Sequence, residues 1–197
     1  MQIKTLILVA LMGVLHLPVL QAQQTFTVSI FNNALSLPGG SFSSPFHPGV
    51  DVGWVLPIRE GKRWDQMLIL RAGYYHQRLV HHGLQAYGEY TWRYKIVEGL
   101  AAEGAAGLGY IHTLEQHDIF KLQSDGTYKQ VGQWGKPHVQ ASFALGISFS
   151  PPEWPVRPFL TYRFRVLTPF VNEYVPVLPA TSLHIGTYFT LFNAAKS

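Results

Sequence analysis

No cysteine occurs anywhere in the 197 residues, so the chain has no disulfide to staple it, no thiolate for a soft metal and no acylated cysteine of a bacterial lipoprotein. Charge is scarce as well. Asp, Glu, Lys and Arg make up 13% of the chain, against the ~25% of an ordinary soluble domain. The balance is a modest +4 with no Lys/Arg-rich run, and nucleic acid is therefore not an expected partner. Beyond Leu20 no apolar run is long enough to cross a bilayer as a helix, which excludes a helical membrane bundle. Aromatic residues, by contrast, are plentiful at 14%. A chain with so few charges must cover much of its surface with something other than water.

The one long apolar run lies at the start. Lys4 precedes TLILVALMGVLHLPVL, from Thr5 to Leu20, and Gln21, Ala22 and Gln23 follow. That is the three-part order of a secretory signal. The run falls short of the ~20 residues of a spanning helix, and Pro18 interrupts it. Residues 1–22 are expected to be a cleaved signal peptide, leaving residues 23–197 as a single domain.

Through that domain, apolar and polar residues alternate between turn signals, the pattern of strands. In LQAYGEYTWRYKI, Leu84, Ala86, Gly88, Tyr90, Trp92, Tyr94 and Ile96 share one face, and Gln85, Tyr87, Glu89, Thr91, Arg93 and Lys95 share the other. The same reading predicts strands over Thr25–Ser36, Gly49–Ile58, Gln66–Leu79, Leu84–Ile96, Leu100–Glu115, His138–Phe149, Pro158–Leu167 and Ser182–Phe192. Short connections (REGKRWD, VEG, PPEWPV) alternate with longer ones, apart from a short HHG turn where a long one is due. Gln116 to Pro137 carries SDG between DIFKLQ and TYKQVG, which predicts a hairpin prolonging its two strands.

The two faces differ in kind. One carries Leu68, Leu70, Tyr74, Leu100, Ala102, Ala106, Leu108, Tyr110, Val139, Phe143, Leu145, Ile147, Leu183, Ile185, Phe189 and Leu191. The other carries Arg71, Glu89, Arg93, Lys95, Glu103, Glu115, His138, Gln140, Ser142, Arg163, Arg165, Ser182 and His184. A soluble eight-stranded barrel would line its interior with the apolar set, and this many unpaired charges cannot fill a dry core. In hydrocarbon a sheet must close to pair every backbone N–H and C=O. The expected fold is therefore all-β: an eight-stranded, antiparallel, up-and-down transmembrane β-barrel, apolar outside and polar within. Trp54, Tyr74, Tyr90, Trp92, Tyr94, Tyr110, Phe164, Tyr188, Phe189 and Phe192 are the expected interfacial girdles.

With these features the chain resembles the small eight-stranded outer-membrane proteins, both outer-membrane protein A-like barrels and the lipid A deacylase group, from about Thr25 to Phe192. The last strand, SLHIGTYFTLF, resembles the terminal strand read by barrel-insertion machinery, although NAAKS continues beyond it. The Gln-rich junction after Ala22 and the segment FVNEYVPVLP resemble small barrels of Bacteroidota. The resemblance implies residence in the outer membrane of a Gram-negative cell. Its partners would be outer-membrane lipid, the insertion machinery, and an envelope protein or surface ligand met by the outer loops.

Three groups of residues invite chemistry. His76, His81 and His82 lie around the HHG turn and read as surface histidines, and His47, His112 and His117 are likewise isolated; no metal or cofactor is expected. The deacylases pair a His and a Ser two residues apart, oriented by an acid. Here the order is reversed in Ser182-Leu183-His184, and the pair is expected to face the interior as structural polar residues. The third group is the inward ionic set Arg71, Glu89, Arg93, Glu103, Arg163 and Arg165, with Asp51 and Lys95. In it Arg71, Glu89 and Glu103 are expected to meet across the barrel floor, with Arg163 and Arg165 approaching from the far wall. The expected function is that of a non-enzymatic barrel closed by an ionic plug. The alternatives are a lipid A-active acyl hydrolase using Ser182 and His184, or a narrow solute pore.

Overall fold

The computed structural model describes residues 24–38, 46–77, 81–115, 119–122, 126–131, 135–169 and 177–191. The signal segment 1–22, His117 and the end of the last predicted strand at Phe192 lie outside the described residues, as do the side chains of His81 and Glu115. Alternation becomes strand: β1 (Thr25–Ala34), β2 (Pro48–Arg59), β3 (Trp64–Gln77), β4 (His81–Val97) and β5 (Leu100–Glu115) follow in order. A two-stranded hairpin comes next, β6 (Ile119–Leu122) and β7 (Tyr128–Val131), and then β8 (Lys136–Phe149), β9 (Val156–Thr168) and β10 (Leu178–Thr190).

Eight of these close into an antiparallel barrel in the order β1-β10-β9-β8-β5-β4-β3-β2, while β6 and β7 pair only with each other. The barrel is thus an up-and-down meander, with a hairpin set between its fifth and sixth staves. Closure is made by β1 against β10, from Thr25 opposite Thr190 to Ala34 opposite Thr181, so no ladder edge is left unpaired. Short connections at 60–63, 98–99 and 150–155 gather at the end holding the described termini, the turn end. The other strand ends, at Ala34, Pro48, Gln77, His81, Glu115, Lys136, Thr168 and Leu178, gather at the opposite, loop end. Gly99, at φ 81°, makes the tightest turn, in a left-handed conformation that an L side chain adopts only with strain.

The predicted strands differ from the observed ones chiefly at the loop end. HHG is no turn: His81, His82 and Gly83 belong to β4, where His82 pairs with His76 of β3. The ladder runs further than the hydropathy pattern, to Gln77 opposite His81. The first strand likewise ends at Ala34 rather than Ser36. Tyr188 was expected in a girdle, but it shares the parity of Ser182 and His184 and points inward, buried.

The burial pattern of β2, eBeBeBeB over its first eight residues, shows the two faces plainly. Outside lie Val50, Val52, Trp54, Leu70, Tyr74, Trp92, Leu108, Tyr110, Phe143, Leu145, Ile147 and Ile185, all exposed. Inside lie Asp51, Arg71, Glu89, Arg93, Glu103, Arg163, Arg165 and His184, all buried. An eight-stranded lumen is only wide enough for side chains to fill, and inward glycines make room for the larger ones. A Cβ on Gly109 would lie 2.2 Å from Cβ of Tyr87 and 2.5 Å from the Ala86 carbonyl. On the outward Gly88 the nearest atom would be Leu70 Cδ2 at 3.5 Å.

Gly109→Val is therefore expected to lower unfolding free energy by ~1–3 kcal/mol or to block folding, as overpacking does, while Gly88→Val leaves it nearly unchanged. Urea titration of the barrel in lipid vesicles checks this; equal losses would mean that the two faces are exchanged.

Candidate functional site

The chemistry-bearing side chains converge in the lumen, and the ladder register determines which of them meet. Arg71 on β3 lies opposite Gly53 of β2 and Tyr87 of β4. The carboxylates of Asp51 and Glu89 stand two residues along those neighbours, on the same face. Arg71 Nε donates to Glu89 Oε2 at 2.7 Å, and its Nη1 donates to Asp51 Oδ1 at 3.0 Å and to Thr27 at 3.1 Å. From across the barrel, Arg163 of β9 brings Nη2 to 2.7 Å from Glu89 Oε1 and Nη1 to 3.7 Å from Asp51 Oδ2. Tyr87 and Ser29 also donate to Asp51, at 2.9 and 2.8 Å. Two guanidiniums and two carboxylates thus balance in a tightly packed space, with Asp51 the hub.

Apolar layers seal this cluster on both sides. Toward the turn end lie Val55, Met67, Ile69, Phe159 and Tyr188. Toward the loop end lie Phe31, Tyr75, Ile111, Leu167 and Ala180. Between them, a void of about 10 Å³ bordered by Arg71, Glu89, Glu103, Arg163 and Tyr188 leaves room for one water at most.

Sequence reasoning placed Glu103 with Arg71; the structure pairs it with Arg93, its direct cross-strand partner. Arg93 Nε donates to Glu103 Oε1 at 2.7 Å, and Tyr188 Oη donates to Oε2 at 2.8 Å. The Arg93 guanidinium lies 4.8 Å from the Tyr188 ring centre, a favourable cation–π position. Arg165 approaches from the far wall and donates to Gln85 Oε1 at 2.5 Å and to Asn33 Oδ1. Its charge lies 5.7 Å from the ring centre of Tyr75 and 5.9 Å from that of Phe31. Lys95 was placed in the interior set, but it is exposed at the turn-end mouth and pairs with Asp65 at 2.9 Å. There the barrel opens into a charged vestibule of about 620 Å³, lined by Glu60, Lys62, Asp65, Arg93, Lys95 and Arg157 among others.

Ser182 and His184 point inward as expected, Oγ 2.9 Å from Nε2, and the acid that the sequence did not supply is Asp51, whose Oδ2 is 3.4 Å from His184 Nδ1. The connectivity is that of a Ser-His-Asp triad, yet three features oppose that chemistry. Arg163 Nη1 also faces Nε2, at 3.0 Å, and a guanidinium only donates, so it competes for the lone pair that must take the serine proton. Asp51 is already held by Arg71. Ser182 is fully buried and lines none of the cavities described here, so an acyl substrate has no room beside it.

Sequence reading missed the apolar plugs, because Phe31, Ile69, Tyr75 and Phe159 are inward residues whose hydropathy matches the outward face. Strand parity alone finds them: Ile69 and Tyr75 flank Arg71 at even spacing.

Among solved structures, the chain is similar to Neisserial surface protein A (NspA), with a TM-score of 0.58, 12% identity, and 85% of this chain and 97% of that one covered. The likeness is one of fold. It is also similar to the outer membrane enzyme PagL (TM-score 0.48, 7% identity, covering 85% of this chain and 99% of that one). A further match is the N-terminal β-barrel domain of Pseudomonas aeruginosa OprF (TM-score 0.45, 16% identity, covering 85% and 98%). No protein-family model and no curated protein sequence matches, and the structural neighbours lend no support to a Bacteroidota affiliation.

Removing one partner of a buried pair costs about 3–5 kcal/mol, because the survivor keeps its desolvation penalty. Glu103→Gln is expected to fall in that range, with Arg93→Gln in the same chain recovering part of the loss and Arg71→Gln instead adding to it. Double-mutant cycles from urea unfolding measure both couplings; a larger coupling to Arg71 than to Arg93 would contradict the pairing.

Proposed function

We propose that the protein is a non-enzymatic outer-membrane barrel of a Gram-negative cell, exported by a signal peptide at residues 1–22, with a structural ionic plug in its lumen and its outward business carried by the loop end. The observation that carries this reading is the sealed midsection: Asp51, Arg71, Glu89 and Arg163 are buried between two apolar layers, with a void of about 10 Å³ among them. A solute pore needs a wetted path and a hydrolase needs a substrate cleft, and the midsection offers neither. Fold by itself decides nothing about activity. The outward band of apolar side chains supports residence in lipid, since such a surface in water would be an aggregation site.

What the loop end presents supports a contact role. Leu35, Leu37, Phe46 and Tyr128 are exposed there, Tyr128 on the projecting β6–β7 hairpin. His47 fixes the approach to β2: its backbone N–H donates to Asn32 Oδ1 at 2.7 Å, and its carbonyl accepts from the Asn33 N–H at 2.9 Å. A barrel-insertion complex, outer-membrane lipid, and an envelope protein or external ligand are the partners this reading assigns.

The purified barrel in a planar bilayer is expected to pass no resolvable current and to release no fatty acid from lipopolysaccharide, and its N-terminus in the outer-membrane fraction is expected near Gln23. Steady ion conductance would restore the pore reading. Fatty-acid release lost in Ser182→Ala would restore the hydrolase. Recovery as a soluble periplasmic protein would remove the membrane reading altogether.

A further inference from the structure

Two imidazoles that the sequence places beside a turn come together on the outside of the barrel instead. His76 of β3 and His82 of β4 are direct cross-strand partners, half-buried on the outward face near the loop end. Their Nδ1 atoms are 3.3 Å apart and their ring centres 4.8 Å apart. Tyr74, two residues back along β3, stacks on His82 with ring centres 5.8 Å apart and planes at 19°, and its hydroxyl lies 2.5 Å from His82 Nδ1.

A tetrahedral zinc ion with nitrogen ligands at roughly 2.0–2.1 Å holds two of them about 3.3 Å apart, which is the separation of these Nδ1 atoms. Imidazole is a fitting donor for zinc, copper and nickel. The partners need little ordering on binding, because the ladder fixes both Cα positions and the Tyr74 stack fixes the His82 ring. Among the described residues no group of three or more His, Cys, Asp or Glu converges as a metal cage. From the described residues, two nitrogens are supplied, with the Tyr74 hydroxyl adjacent.

We propose that His76 and His82 form a surface chelate for a borderline divalent cation of the zinc class, with Tyr74 as the residue that positions His82. Binding replaces the contacts at the Nδ1 atoms: a proton held there moves to Nε2 of the same neutral ring, or is released to solvent from a protonated one, the Tyr74 hydroxyl turns away, and each lone pair turns to the metal. Two half-buried imidazoles suit reversible capture of an ion from the medium rather than a resident structural metal.

The test is a titration of the full chain, folded in maltoside micelles without phosphate or chelator, with zinc chloride followed by calorimetry. One ion per chain is expected to bind saturably. His76→Asn and His82→Asn are each expected to weaken binding by about tenfold or more, the loss of a ligand exceeding the loss of an outer-shell partner. Tyr74→Leu, which removes the stack, is expected to weaken it less, and His112→Asn, on neighbouring β5, to leave it unchanged. Heat-modifiable migration on a gel confirms that each variant is a folded barrel, and either histidine variant suffices if the other fails to fold. Absence of saturable binding, or binding unaltered in a folded His76→Asn or His82→Asn variant, would overturn the proposal.

Discussion

The middle of this barrel has room for one water at most, so the charges found there are satisfied by one another and by neighbouring polar side chains. Asp51, Glu89, Arg71 and Arg163 come from β2, β4, β3 and β9, so their contacts join both walls of the lumen rather than neighbouring staves alone. The other features follow from that. Inward glycines such as Gly109 give Tyr87 space to lie across the lumen and reach Asp51 with its hydroxyl. The two apolar layers keep the cluster dry and so strengthen each pairing, since the same low dielectric that penalises a lone charge favours a matched one. Neutrality of the set matters more than the strength of any single bond in it.

The Ser182-His184-Asp51 arrangement shows how little connectivity by itself says about chemistry. A serine, an imidazole and a carboxylate in line are also what a crowded polar lumen makes when it satisfies its own donors and acceptors. Catalysis would require an unshared lone pair on Nε2 and space for an acyl group, and Arg163 and the packing of β9 against β10 remove both. The carboxylate that completes the line is the hub of the ionic cluster, so its charge is already engaged elsewhere.

Much of the architecture was legible because a period of two is a strong signal when one face meets hydrocarbon. Strand number, the inward direction of Arg71, Glu89, Arg163 and His184, and the hairpin between β5 and β8 all follow from alternation and turn residues. Two kinds of detail did not. Residues such as Phe31 and Ile69 are apolar on the inward face, and hydropathy gives no hint of side when both sides are apolar. Partner choice was hidden too: Glu103 sits opposite Arg93 by register, which sequence alone does not supply, and Arg163 meets Glu89 across 74 positions of chain. The His76 and His82 pair was obscured by a strand that continues beyond its apolar pattern into residues resembling a turn.

The cross-lumen pairs also bear on the route by which the barrel forms. Arg163 and Arg165 sit on β9, and the groups they contact lie on β1, β2, β4 and β10. A β9–β10 hairpin crossing a bilayer alone would carry two bare guanidiniums past its centre, at roughly 2–4 kcal/mol each. The penalty disappears only when the staves bearing Asp51, Glu89, Gln85 and Asn33 already face them. On the membrane reading proposed above, insertion and closure would be coupled, a half-built barrel leaving these guanidiniums without their partners.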